Sequence, residues 1–209
     1  LLRGGDPRIA CAPPHDYPGF PFRDLLVRPL ADEARSTAAR LNNLILRSQE
    51  ILESHPVNCG RRAKGLAPAN SIWPWAPGLR PAMKTLEALW GLSGAVITAV
   101  DLIRGIAVYA GMEVVPVEGA TGLYDTNYEG KVRAALDALS RKDLVYLHIE
   151  ASDEAGHDGD AALKIRTIEA LDRRVAGPVL AFMAEHEDIR VALLPDHATP
   201  CEVRTHTAD

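Results

Sequence analysis

The chain has 209 residues, 47% of them hydrophobic and 24% charged, with a net charge of −5. This is enough for one large domain or two small ones with a real core, and it excludes a disordered chain. A pI near 5.8 excludes the basic footprint of a nucleic-acid binder.

No apolar run approaches the roughly 20 residues that a membrane span needs, and residues 1–14 carry no charged-then-apolar leader. The three cysteines, Cys11, Cys59 and Cys201, are far apart and form no CxxC pair. That pattern predicts a reducing, cytoplasmic setting without a disulfide framework. The chain starts at Leu1 and stops just after RTHT, which we read as a piece of a longer protein.

Residues 1–30 are rich in proline and glycine (PPHDYPGFPF, then VRPL) and predict loop or extended structure. Residues 31–53 carry Leu41, Leu44, Ile45, Ile51 and Leu52 at near-helical spacing, with Asp32 and Glu33 suited to the helix start. Residues 54–81 are again proline-rich, so a helix-surface role for Arg61 is not expected. PAMKTLEALWG predicts a short helix closed by Gly91. Trp73 and Trp75 flank Pro74 and are expected to fill a small core.

After Gly91 the texture changes. GAVITAV (94–100), MEVVPV (112–117), DLVYLHIE (143–150) and DIRVALLP (188–195) predict four strands. Between them, 101–111, 125–140 and 160–186 predict helices. Asp125 or Thr126 would cap the second, and Pro178 would kink or break the third. Lys131 is expected to face solvent. Strands alternating with helices predict an α/β layer sandwich with a largely parallel sheet. The domain boundary is drawn near residue 92, giving domains 1–91 and 92–209.

Ligands in open α/β sheets bind beyond the carboxyl ends of strands. The two densest polar clusters fall there. Strand 143–150 runs into Asp153-Glu154-Ala155-Gly156-His157, and strand 188–195 runs into Asp196-His197; His206 follows in RTHT. Carboxylate and imidazole ligands suit Zn, Mn or Fe. Asp153 and His157, four apart, can face one point. Asp196 and His197 are adjacent, so on an extended backbone they point opposite ways and could serve two metals. Two-metal sites support phosphoryl transfer. The plainer alternative is a solvated loop with a helix cap, because turns favour Asp and Gly. His148 is expected to pack within its strand or near the site, His186 to lie on the surface, and His55 to be structural or an interdomain contact.

The runs GAVITAVDLIRGI, EGATGLYDTNYEGK, HIEASDEAGH, PDHATP and RTHT resemble the archaeal-type cofactor-independent phosphoglycerate mutases of the alkaline phosphatase superfamily of metalloenzymes. PPHD, HPVN and PANSIWPWAPG resemble that family's inserted domain, although WPWAPG stands where the family has tryptophan followed by Gly-Gln-Gly. The resemblance implies an α/β fold: part of an alkaline-phosphatase-like three-layer core with a smaller inserted α/β domain. It implies an isomerase of glycolysis that interconverts 3-phosphoglycerate and 2-phosphoglycerate through a phosphoserine. Two divalent metals, Mn with Zn, Mg or Co as alternatives, would be bound. The partner would be a small phosphorylated hydroxy acid, with no nucleic acid and no membrane.

By resemblance, Asp153, His157 and His206 would hold one metal and Asp196 and His197 the second. His15, Asp16, Arg61 and Arg104 would touch substrate. The family's nucleophilic serine and an N-terminal aspartate match no segment here: Ser36, Ser48, Ser54, Ser71, Ser93, Ser140 and Ser152 lack the context. The piece itself is therefore expected to be inactive. Competing readings are a phosphatase, phosphonate hydrolase or phosphotransferase of the same superfamily (homoserine kinase-like labels included), and a non-catalytic metal-binding module.

Overall fold

The structure is a computed structural model that describes residues 2–14, 17 and 19–208. The chain divides into two compact units, Leu1–Arg80 and Pro81–Asp209.

In the first unit, β1 (Ile9–Ala10) pairs antiparallel with β2 (Arg28–Pro29), Ile9 opposite Pro29. A short 3-10 turn at Asp32–Ala34 leads into helix α1 (Arg35–Glu53). Ala34, Ala38, Leu41 and Ile45, spaced four, three and four apart, form one stripe that meets Ile9 and Val27 in the core. Leu44 and Ile51 fall off that stripe and are exposed. Asn42 clamps the incoming chain, accepting from the Val27 N–H and donating to the Val27 carbonyl. Trp73 packs against this core and donates Nε1–H to the Ala12 carbonyl, whereas Trp75 is exposed, so only one of the pair is core.

The proline-rich stretch after residue 54 is less irregular than its composition predicts. Pro56 stands in the first turn of helix α2 (Pro56–Ala63), where its missing N–H costs nothing, and the His55 ring accepts from the Val57 N–H. Arg61 therefore lies on a helix, in its last turn, contrary to the expectation from composition. Buried Asn58 ties α2 back to α1 through the Leu52 carbonyl and forward to the next segment through the Ala69 carbonyl and N–H.

The second unit opens with helix α3 (Leu86–Trp90), capped by the Thr85 hydroxyl and closed by Gly91 in the left-handed conformation at φ 67°. Then follow β3 (Gly94–Ile97), α4 (Asp101–Tyr109), β4 (Glu113–Val114), α5 (Tyr128–Leu139) and β5 (Leu144–Leu147). The sheet order is β4-β3-β5, all parallel, with Ala95 opposite both Glu113 and Val145. β3 is first in sequence and central in space, and all four of its residues are buried. The connection β3-α4-β4 steps one way across the sheet and β4-α5-β5 steps back over β3, so right-handed crossovers put α4 and α5 on opposite faces, a three-layer arrangement.

Three expectations in this unit are corrected. Helix α5 is capped by the Asn127 side chain, which accepts from the Gly130 N–H, and not by Asp125 or Thr126. Thr126 is spent on the preceding loop, where its hydroxyl bonds the Thr121 N–H and carbonyl. Lys131 does not face solvent: it is 1% exposed, on the buried stripe with Tyr128, Val132 and Ala135. Residues 188–195 form no strand among the described residues. Val191 and Leu194 are exposed and Leu193 is 86% exposed. Their apolar, β-branched content favours a strand, but a strand needs a neighbour's hydrogen bonds, and none of the described strands lies beside them.

The long helical region breaks as its proline predicts, with an added device. α7 (Ala161–Leu171) runs into one π-helical turn (Asp172–Ala176) before α8 (Gly177–Ala184), which carries Pro178 in its first turn. The wider turn removes the i−4 hydrogen bond that proline cannot make. Arg174 in this turn grips Glu129 of α5 with two hydrogen bonds (2.5 and 2.7 Å) and lies 4.5 Å over the Tyr128 ring. Among the described residues, no helix is long and apolar enough to cross a membrane.

Helix α6 (Ala151–His157) follows β5 directly. The segment around Thr199 lies against it so closely that a Cβ on Gly156 would collide with the Thr199 carbonyl. That carbonyl also accepts from Lys164 Nζ at 2.6 Å, and Ala198 bridges to Thr207.

Gly156→Ala is expected to destabilise the protein by about 1–3 kcal/mol despite alanine's better helix propensity, because the collision is with backbone; chemical denaturation measures it. The Arg174 guanidinium beside Glu129 lowers that carboxyl from 4.5 to about 2. The folded state then binds fewer protons than the unfolded one between these values. The pair's stabilisation is complete above about pH 4.5 and disappears as pH falls through about 2. Both side chains are nearly half exposed (44% and 48%), so the effect is at most about 1 kcal/mol. The melting-temperature gap between wild type and Glu129→Gln should stay constant from pH 6 to about pH 4.5 and narrow from there to pH 2.

Candidate metal centre

The candidate site is built where β5 gives way to α6 and where the chain returns through residues 196–207. Helical spacing puts Asp153 and His157 on one face of α6, with His157 Nε2 3.3 Å from Asp153 Oδ2. His206 joins them, its Nε2 3.1 Å from His157 Nε2 and 3.5 Å from Asp153 Oδ1. The His197 ring lies 3.7 Å from that of His206, tilted by 38°, with Nδ1 4.0 Å from Asp153 Oδ1. Asp153, His197 and His206 together bring ligand atoms within 4.8 Å of one another. His197 thus stands with residues that the resemblance assigns to the other metal. Asp196 stands further out, 77% exposed, with Oδ2 3.9 Å from His197 Nε2.

Local backbone explains this convergence. Arg204 adopts φ 59°, a left-handed conformation that L side chains rarely take. Its carbonyl lies 3.0 Å from His157 Nδ1. A carbonyl only accepts, so Nδ1 carries the hydrogen and Nε2 of the neutral ring presents its lone pair toward Asp153 and His206. Gly159, at φ 71°, leaves room for the Arg204 side chain where a Cβ would collide with it. Carboxylate and imidazole lone pairs directed to one point with this spacing are a donor set suited to a divalent cation.

Near this group lies a second, half-buried polar set, in which His148 was expected near the site while Thr98 and Glu150 were not singled out. Thr98, just beyond β3, is buried; its hydroxyl meets His148 Nδ1 at 3.3 Å and accepts from the Val100 N–H at 3.1 Å. Burial, reinforced by the Lys131 charge, holds His148 below its ordinary pKa. Lys131 Nζ donates to the Thr121 carbonyl at 3.1 Å, and the Glu150 carboxylate packs against adjacent Gly122. Burial lowers the Lys131 pKa, and burial with the neighbouring Glu154 and Asp153 charges raises that of Glu150. Glu150, Asp153 and Glu154 form a further carboxylate cluster at the start of α6. The signal for Lys131 was present in the sequence: 128, 131, 132 and 135 share a helix face.

The expected substrate contacts are divided between the two units in sequence. Arg104 sits on α4, its Nε donating to the Thr98 carbonyl at 3.2 Å and its Nη1 3.3 Å from Asp101. Arg61, in the first unit, donates to the Ala67 carbonyl at 2.7 Å. His15 and Asp16 lie outside the described residues. His148 extends the ladder just past β5, its N–H bonded to Ile97. His186 is half-buried and stacked on Phe182, so it is not simply a surface residue.

A family model described as "Metalloenzyme superfamily" matches residues 32–209, and one described as "2,3-bisphosphoglycerate-independent phosphoglycerate mutase" matches residues 1–58. A protein of that name from Methanothrix thermoacetophila is 52% identical over 95% of this chain and 50% of its own length. One from Geobacter sulfurreducens, named as a probable mutase of the same kind, is 47% identical over 99% of this chain and 50% of its own length. A solved structure of a Pyrococcus horikoshii protein superposes with a TM-score of 0.70 at 34% identity, covering 84% of this chain and 46% of that one. The chain spans about half the length of the curated relatives it matches. By the match over residues 32–209, this chain belongs to the metalloenzyme superfamily.

Proposed function

We propose that the protein carrying this chain is a metal-dependent phosphoglycerate mutase, interconverting 3-phosphoglycerate and 2-phosphoglycerate through a phosphoserine. The observation that carries the reading is the convergence of Asp153, His157, His197 and His206 beyond the end of a parallel strand, in a chain of this superfamily. Relatives at 47–52% identity bear the mutase name. Asp153, His157 and His206 would hold one divalent ion, and Asp196 and His197 would contribute to a second, with Mn the first choice. A divalent ion there supplies charge neutralisation for a phosphoryl group.

This chain's own residues would do the rest of the local work. The Arg204 carbonyl keeps His157 in the tautomer with a bare Nε2. Arg104, braced by the Thr98 carbonyl at the mouth of the sheet, supplies a guanidinium suited to a substrate carboxylate or phosphate. Arg61, with His15 and Asp16, is assigned to the substrate side. The nucleophilic serine matches no segment of this chain, so the 209 residues alone are read as inactive. Free cysteines, among the described residues, accord with a cytoplasmic location.

Calorimetric titration with Mn(II) tests the ligands: Asp153→Ala and His157→Ala should each weaken binding by at least about tenfold, while Arg61→Ala leaves it unchanged. Assay of the protein from its full reading frame should show 2-phosphoglycerate formed from 3-phosphoglycerate. Release of inorganic phosphate in place of that product would overturn the mutase assignment and leave a phosphatase.

A further inference from the structure

We infer that Thr199 is a positioning residue that sets the tautomer of His197 and the orientation of Asp153. The inference rests on the metal-site reading above. Thr199 is only 3% exposed, although the residues it serves are partly open to solvent. Its hydroxyl donates to Asp153 Oδ1 and lies 3.3 Å from His197 Nδ1.

A threonine hydroxyl has one hydrogen and two lone pairs. The hydrogen is committed to the carboxylate, which only accepts. Toward His197 the oxygen must therefore accept, and His197 Nδ1 must carry a hydrogen. Nε2 of the neutral ring is then bare. His197 and His157 thus reach the same state by different routes, one through a buried hydroxyl and the other through the Arg204 carbonyl. The same hydroxyl restrains Oδ1 of Asp153 while Oδ2 faces His157.

The position of that hydroxyl is fixed from behind. The Thr199 carbonyl accepts from Lys164 Nζ at 2.6 Å and abuts Gly156, one residue before His157 on the helix that carries Asp153. One residue therefore links two proposed ligands 44 positions apart in sequence (197 minus 153) through a single directed chain, imidazole N–H to hydroxyl to carboxylate.

The test compares Thr199→Ser, which keeps the hydroxyl, with Thr199→Val, which replaces it at equal volume, in the protein from its full reading frame. Two readouts are taken: Mn(II) affinity by titration, and the His197 tautomer by long-range proton–nitrogen correlation spectra of histidine-labelled metal-free protein. The His197 signals are identified by their loss in His197→Gln. Wild type and Thr199→Ser should show Nδ1–H. Thr199→Val should lose that preference and bind Mn(II) about 10–100-fold more weakly, with the serine variant within about threefold of wild type.

A valine variant with wild-type tautomer and affinity overturns the inference. Should wild type fail to bind Mn(II), the metal reading fails by itself; the tautomer spectra still decide the role of Thr199. If the valine variant does not fold, Thr199→Ala removes the hydroxyl without adding bulk and is read in the same way.

Discussion

The candidate site depends on one close approach, that of the Thr199 carbonyl to the bare Cα of Gly156. Helix α6 supplies Asp153 and His157, and the returning chain supplies Asp196, His197 and His206. Neither segment makes a site alone. Packing two stretches of backbone this tightly requires that no side chain intervene, and glycine is the residue that permits it. Lys164 then satisfies the carbonyl that the approach would otherwise strand. From that fixed contact the hydroxyl of Thr199 and the carbonyl of Arg204 reach the two imidazoles as a matter of geometry.

The sheet explains why the site forms at this end. β3 is buried along its whole length and flanked by both parallel partners, so its direction sets theirs. The polar groups of Thr98, His148 and Glu150 therefore emerge together at the carboxyl ends of the strands. Lys131 reaches the same region from α5 by way of the Thr121–Gly122 loop. Here a cation and a carboxylate are held half-buried near the proposed ligands, and burial pushes each toward its neutral form.

Much of this was legible in the sequence, and the failures have physical causes. The runs around 94–97 and 144–147 announced strands by their β-branched content, and Gly91 and Gly111 announced helix ends. Asp153 and His157 could be paired because helical spacing is local information. Residues 188–195 misled because apolar content reports a tendency to be covered, and a strand also requires a particular neighbour. Lys131 misled because a charged residue was assigned to solvent by type, although its spacing with Tyr128 and Val132 placed it on the inner stripe. Thr199 could not be found at all: its meaning lies in bonds to residues 46 and 2 positions away, and only folding creates the longer one.

The single π turn at Asp172–Ala176 has a wider consequence. Each residue of an α-helix advances the face by about 100°. A π turn holds one residue more than the α turn it replaces, so it shifts the phase between α7 and α8. The two helices can then present differently phased faces to their neighbours, α7 toward α6 and α8 toward α5. Deleting one residue from this turn would leave every side chain of α8 chemically unchanged yet aim it at the wrong neighbour. The turn works as a phase adjuster, and its value lies in the angle it adds.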